Sequence, residues 1–248
     1  MDARGLHFHR GGLSMSTRSW WYAVHKWVGL IVGIQILAWM VSGLYMTYVP
    51  IEQVRSEHNV RKPPELDLRA LHEVSVPDKA IKSISGQVTR LELGEMNGRA
   101  VWRVDVAGKP SVLIDPASGD VISPLGEAQA RLIAEADFAG AGTIVRASLI
   151  TNDAPIEYRG ALPVWQIVFN DESNTHLYLS PLSGKVAARR SDVWRTYDFL
   201  WSLHIMDYRS REDFNHWLVI VAALGGFALT ITGFALLAYR FLPKRLER

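Results

Sequence analysis

Apolar residues gather in two long runs near the ends of the chain, with shorter alternating stretches between them. The first run, Trp27 to Val49, holds about 23 residues and follows Trp20, Trp21 and Tyr22. As a helix it would be roughly 34 Å long, enough to cross a hydrocarbon core with some tilt. It is too long for the apolar core of a secretory signal, and no small-x-small cleavage site follows it, so it reads as an uncleaved anchor. Tyr45, Tyr48 and Pro50 end it as an interfacial belt and a stop. The second run, Trp217 to Tyr239, is as long and carries no charge.

Two spans place both termini on one side of the membrane. Arg4, Arg10 and Arg18 before the first span, and Arg240, Lys244, Arg245 and Arg248 after the second, assign that side to the cytoplasm. The pattern predicts a cytoplasmic segment 1–19, a span 20–49, an extracytoplasmic domain 50–191, an amphipathic helix and turn 192–213 at the outer surface, a span 214–240 and a basic tail 241–248.

The middle segment contains a repeat. Val101-Trp102-Arg103-Val104-Asp105-Val106 is followed by Val112-Leu113-Ile114 and then by Asp115-Pro116-Ala117-Ser118-Gly119-Asp120-Val121. Val164-Trp165-Gln166-Ile167-Val168-Phe169 is followed in the same way by Leu177-Tyr178-Leu179 and Ser180-Pro181-Leu182-Ser183-Gly184-Lys185-Val186. Each copy reads as a strand, a polar turn and a second strand, closed by x-Pro-x-Ser-Gly-x-Val, whose proline and glycine set a tight turn before a short third strand. A helix-like stretch with an early proline precedes each copy, Val76 to Ile84 and Ser123 to Glu135. The repeats span about 72–123 and 124–190, and the fold class is an integral membrane α-helical protein carrying an α+β extracytoplasmic domain.

Composition narrows the chemistry. The 248 residues are 48% hydrophobic, above the soluble norm because of the two runs, and the net charge of +2 is too small and mixed for a nucleic-acid footprint. With no cysteine, disulfides, thiolate metal sites and covalent haem attachment are excluded. No GxGxxG after a strand, P-loop or G-x-S-x-G occurs, so the chain has no nicotinamide, flavin or nucleotide domain of its own.

The repeat resembles the PepSY domain, and His25-Lys26-Trp27-Val28-Gly29-Leu30 resembles the opening of a PepSY-associated transmembrane helix. Phe199-Leu200-Trp201-Ser202-Leu203-His204-Ile205-Met206-Asp207-Tyr208 looks like that family's pre-membrane helix, and Phe214-Asn215-His216-Trp217 leads into a last span ending Thr230-Ile231-Thr232-Gly233. The resemblance covers most of the chain beyond its first 19 residues. It implies a bacterial inner-membrane protein with a periplasmic domain, and a ferric-siderophore reductase binding haem b non-covalently between its helices. Better-known members have four or more spans; a homodimer of this chain would supply four.

A haem of this type needs axial imidazoles in an apolar pocket. Of eight histidines, His25, His204 and His216 lie within or beside the membrane segments. His25 is either an interfacial side chain among tryptophans or a ligand above a stripe of small residues, Gly29 and Gly33, with Ile36 and Gly43 on the same face. The Gly29-x-x-x-Gly33 pair also suits close helix pairing. An inner haem would take His25 from each of two chains. His204 and His216, on either side of the charged turn Asp207 to Asp213, form either a ligand pair or a hydrogen-bonded structural pair. The face of His216 continues through Ala223 and Thr230 beside Gly226 and Gly233, a second groove. Zinc fits less well, for want of further ligands.

His7 and His9 lie in a Gly-rich N-terminus, His58 and His72 in polar linker, and His176 at a strand edge. The stretch Glu157-Tyr158-Arg159 before the second tryptophan strand is either a substrate-facing loop or a hairpin rim with an internal ion pair. Two functions remain. One is a haem-b conduit, embedded in the lipid bilayer, that draws electrons from an unknown donor to reduce a ferric siderophore. The other is a non-redox anchor whose repeats bind or inhibit a periplasmic protein.

Overall fold

The computed structural model describes residues 17–62 and 77–241. The basic residues read as setting topology before Thr17 and after Phe241, and the first few residues of the first repeat, lie outside the described residues, as do His7, His9 and His72. The chain divides into two compact units, one of 1–45 and 200–248, the other of 46–199.

In the first unit, α1 (Thr17–Tyr48) and α6 (Trp217–Phe241) are the two apolar helices that the hydropathy pattern requires. Stretches of 30 and 22 residues within them are apolar and long enough to cross a bilayer. Their outer surfaces carry large bare side chains, Ile31 at 73%, Leu44 at 72% and Phe234 at 67% exposure, a surface suited to lipid. The two helices touch through glycine: a Cβ added at Gly225 would lie 2.7 Å from Val32, and one at Gly29 would lie 3.3 Å from Leu229. Without side-chain bulk there, the backbones approach closely, which is the main source of helix association in lipid.

The second unit starts with a short helix α2 (Ile51–Val54) and a 3-10 turn (Glu57–Asn59). Two sheets follow, each led by a helix. Helix α3 (Asp78–Ser83) precedes β1 (Val88–Met96), β2 (Arg99–Val106) and β3 (Lys109–Ile114), all antiparallel in chain order. Helix α4 (Glu127–Asp137) precedes β4 (Ile144–Ile150), β5 (Val164–Phe169), β6 (His176–Leu179) and β7 (Val186–Arg190), again in order. The sequence pattern located β2, β3, β5, β6 and the closing turns, while the leading strands β1 and β4 are additions from the structure. The closing strand of the second repeat forms fully as β7; its counterpart in the first is a single bridge, Ile114 to Val121.

The repeat extends to individual hydrogen bonds. Asp115 Oδ1 accepts from the amides of Ala117 and Ser118, and Ser180 Oγ accepts from those of Leu182 and Ser183. Gly119 and Gly184, at φ of +76° and +66°, complete the same turn, a conformation in which a Cβ would be strained. The sheets' two faces follow the alternation of β2 and β5. Trp102, Val104 and Val106 pack with α3 on one side of the first sheet, and Val101 and Leu113 point to the other. Those two join α4 residues Ala130, Ile133 and Ala134 and second-sheet residues Trp165, Ile167 and Phe169 in one core. Helix α4 is therefore roofed by one sheet and floored by the other. The free face of the second sheet, Val164 and Tyr178, is closed by Tyr158 from the β4–β5 connection.

Helix α5 (Asp192–Ile205) occupies the predicted amphipathic stretch. Met206, at φ of +56°, ends it in the left-handed conformation common at helix C-termini.

Candidate functional site

The membrane unit holds the end of α5 by one face of α1. Gln35, Trp39 and Ser42 are spaced four and three residues apart, so they share a stripe. Gln35 Nε2 donates to the Leu203 carbonyl at 3.1 Å and Trp39 Nε1 to the His204 carbonyl at 2.8 Å. These are carbonyls of the last turn of α5, which have no partner within the helix. The third residue, Ser42, is fully buried, and its Oγ lies 3.0 Å from His204 Nδ1. The ring of His204 also lies against Gly43, 4.0 Å from where a Cβ would stand, with the Trp39 ring at 6.3 Å and the nearly parallel Trp201 ring at 6.4 Å.

The same arrangement recurs at the other end of the helix pair. His25 Nδ1 lies 2.9 Å from Oγ1 of the buried Thr232, and the ring lies 3.5 Å from a Cβ built at Gly233. In each case a hydroxyl is followed by a glycine, Ser42-Gly43 and Thr232-Gly233. The hydroxyl binds the ring and the glycine lets it approach.

The hydroxyls also fix the imidazole tautomer. Ser42 Oγ bonds the Trp39 carbonyl at 3.1 Å and Thr232 Oγ1 the Leu229 carbonyl at 2.9 Å. A carbonyl only accepts, so each hydroxyl's single proton points there, and the hydroxyl must accept from the ring. A neutral ring in either cradle then carries its proton on Nδ1 and a lone pair on Nε2. Seventeen residues separate His25 from Ser42 on α1, roughly 25 Å of helix rise between the levels of the two rings. This is shorter than the roughly 34 Å of the first apolar run, because His204 is engaged by Ser42 and not at the end of the span.

His216 stands immediately before α6, its ring beside Trp217, and its Nδ1 is buried without a hydrogen-bond partner among the described residues. Between His204 and His216 runs the predicted turn, gathered on one carboxylate. Asp207 accepts from the amides of Arg209, Ser210, Glu212 and Asp213 at 3.1–3.2 Å, and from the Ser210 hydroxyl. The Ser210 hydroxyl, with these amides, holds the carboxyl well below its usual range. Of the glycines read as a haem-facing groove, Gly33 and Gly226 have nothing within 4 Å of a Cβ among the described residues, whereas Gly29 meets Leu229 of α6. The close helix contact on α6 is made by the neighbouring Gly225. Among the described residues no three His, Cys, Asp or Glu side chains gather as a metal-binding group.

In the second unit, Glu157, Tyr158 and Arg159 are tied into the protein. Glu157, 8% exposed, accepts from His176 Nδ1 at 2.5 Å, the Tyr178 hydroxyl at 2.6 Å and Arg195 Nε at 2.7 Å. Arg190 Nε donates to the Glu157 carbonyl, and its guanidinium stacks on Trp194. Tyr158 stacks on Tyr178 at 4.6 Å, and Arg159 pairs with Asp198 at 2.9 Å. The ion pairs thus reach β6 and α5; they are not internal to the hairpin rim.

Burial alone would raise the Glu157 carboxyl, but the hydrogen bonds from His176, Tyr178 and Arg195 outweigh it and hold the group at about 2, against an ordinary 4.5. A depressed carboxyl contributes stability that is complete above the ordinary value and fades as pH falls through the folded one. Acid unfolding is therefore expected to draw on Glu157 between about pH 4.5 and 2. A pH series of thermal melts should show a shallower acid slope for Glu157→Gln than for the wild type; equal slopes would disprove the assignment.

A family model described as PepSY-associated TM region matches residues 3–240. No match was found among curated proteins or among solved structures. Since the match takes in both apolar helices and everything between them, the chain belongs to the PepSY-associated TM region family.

Proposed function

We propose that this membrane protein binds haem b through its membrane histidines and passes electrons to a ferric chelate outside the cytoplasm. The observation that carries this reading is the paired cradle: two imidazoles at different depths, each held at Nδ1 by a hydroxyl that is itself committed to a carbonyl. A ring so held has one tautomer, one orientation and a free Nε2 lone pair, the state an iron ligand must have. His216 is held differently: its buried Nδ1 has no hydrogen-bond partner among the described residues, so on this ring Nδ1 is the nitrogen left for a ligand. His25, His204 and His216 are the residues that would hold the group, and Gly33 and Gly226 leave open space along the helices for it.

Haem b, when bound, supplies an iron that accepts and releases one electron without a proton. The protein's own part is to fix the rings, to keep water from them with apolar helix surface, and to set the two levels roughly 25 Å apart. At that separation a centre at each level divides the crossing. The second histidine at the inner level would be His25 of a second copy, and the working unit would then be a homodimer. Its electrons would come from elsewhere, from a quinol, a cytoplasmic flavin or a soluble partner. The membrane is the bacterial inner membrane, with the α+β domain in the periplasm.

Absorption spectra of detergent-purified protein, oxidised and dithionite-reduced, test the proposal. Low-spin b-type bands are expected; a featureless spectrum from haem-replete cells would overturn it and leave a membrane anchor displaying a binding domain. The hydroxyls provide a finer check. Ser42→Ala and Thr232→Val remove the Nδ1 acceptor while keeping the ligand, and each is expected to weaken haem retention by about 10- to 100-fold. Haem titration of the stripped protein reads this directly, and unchanged affinity would separate the hydroxyls from ligand positioning.

A further inference from the structure

The second unit has a pocket that the membrane histidines do not explain. It has a volume of about 680 Å³, within the range of small-molecule sites. Five basic side chains line it, Arg61, Lys62, Arg103, Lys185 and Arg189, against two acids, Glu95 and Asp137. Its wall is apolar where α4 contributes Leu132, Ile133 and Ala136, and Met96 and Val186 extend that wall from β1 and β7.

The cations are of two kinds. Arg103 and Arg189 form a fixed floor, with side chains only 12% and 21% exposed. Arg103 Nε donates to the Ser183 carbonyl while its Nη1 lies 4.0 Å from Glu92, and Arg189 donates to both oxygens of Asp137, from Nε at 3.0 Å and from Nη2. Guanidiniums already oriented lose little freedom on meeting an anion. Arg61, Lys62 and Lys185 are exposed at the rim, and among the described residues no acid pairs with them. Glu95 is turned to the Gly98 amide. The pocket therefore keeps an excess of positive charge inside low-dielectric walls, which concentrates its field on whatever enters.

We propose that this pocket binds a soluble organic polyanion with a flat apolar body, its acidic groups on the rim cations and the arginine floor and its body against Leu132, Ile133 and Met96. The proposal stands apart from the haem reading, and its test has no redox readout.

The probe is benzene-1,3,5-tricarboxylate, titrated by calorimetry into the full chain in neutral detergent, with citrate in parallel as a polyanion of like charge but no flat face. The tricarboxylate is expected to bind with a Kd below about 1 mM, to bind more tightly than citrate, and to weaken as salt is added. Arg61→Glu with Lys185→Glu, both exposed positions, is expected to weaken binding at least tenfold with the melting temperature unchanged. Lys79→Glu with Arg146→Glu, the same charge change on exposed residues outside the pocket, is expected to leave binding within about twofold. No binding of the tricarboxylate, or equal loss in both double variants, would overturn the site. Citrate binding as tight as the tricarboxylate would overturn the apolar half of the proposal.

Discussion

Replacing His204 by alanine is expected to remove about half of the low-spin haem absorbance, leaving the centre held by His25. The variant should still fold. The α5 end remains fixed to α1 through Gln35 and Trp39, which bind backbone carbonyls and not the imidazole. The loss is confined to the ring that Ser42 orients, at the level of Gly43. Removing His25 as well should abolish the bands. A His204→Ala spectrum identical in intensity and shape to the wild type would show that this imidazole binds no iron, and the hydroxyl cradle would then be a packing device. Asp207→Ala is an informative companion, since it keeps every histidine and loses the carboxylate that organises the turn between two of them.

The second large effect is expected at Glu157. Substitution by alanine would leave Arg195 Nε, the Tyr178 hydroxyl and His176 Nδ1 without their shared acceptor in a largely buried setting. Removing one partner of such a network costs about 3–5 kcal/mol, because the remaining charge stays desolvated. For a unit of this size the melting temperature should fall by roughly 10 °C. Glu157→Gln retains an acceptor for the tyrosine and loses the charge, so its loss should be smaller. Thermal melts followed by near-ultraviolet circular dichroism rank the two. A Glu157→Ala protein as stable as the wild type would restore a loop role for this stretch, with its ion pairs incidental.

Much of the architecture was legible because it follows from periodicity. Two uninterrupted apolar runs admit little besides membrane helices, and x-Pro-x-Ser-Gly-x-Val repeated with the same strands before it locates equivalent turns. Strands β1 and β4 were not legible: Val88–Met96 and Ile144–Ile150 have mixed patterns of half-buried positions, since edge strands face solvent along much of their length. The candidate histidines were found from their position near the membrane, but the residues that hold them were missed. A signal was present in Gln35, Trp39 and Ser42, a polar stripe in an otherwise apolar span, where such residues need a specific partner. The hydroxyl-glycine pairs Ser42-Gly43 and Thr232-Gly233 were a second signal. The role of Glu157 could not be read, because its partners lie 19, 21 and 38 residues along the chain and meet it only through the fold.

The placement of α4 bears on how far such a chain can be shortened or lengthened. By sequence this helix belongs to the second repeat, yet the first sheet needs it as cover, so the smallest self-sufficient piece is larger than one repeat. Stacked units of this kind need a terminus, as solenoids do. Here the β4–β5 connection, with Tyr158 laid on Tyr178, covers the face of the second sheet that α4 does not. The stretch read as either a substrate-facing loop or a hairpin rim is thus, in architectural terms, an end plate on the second sheet.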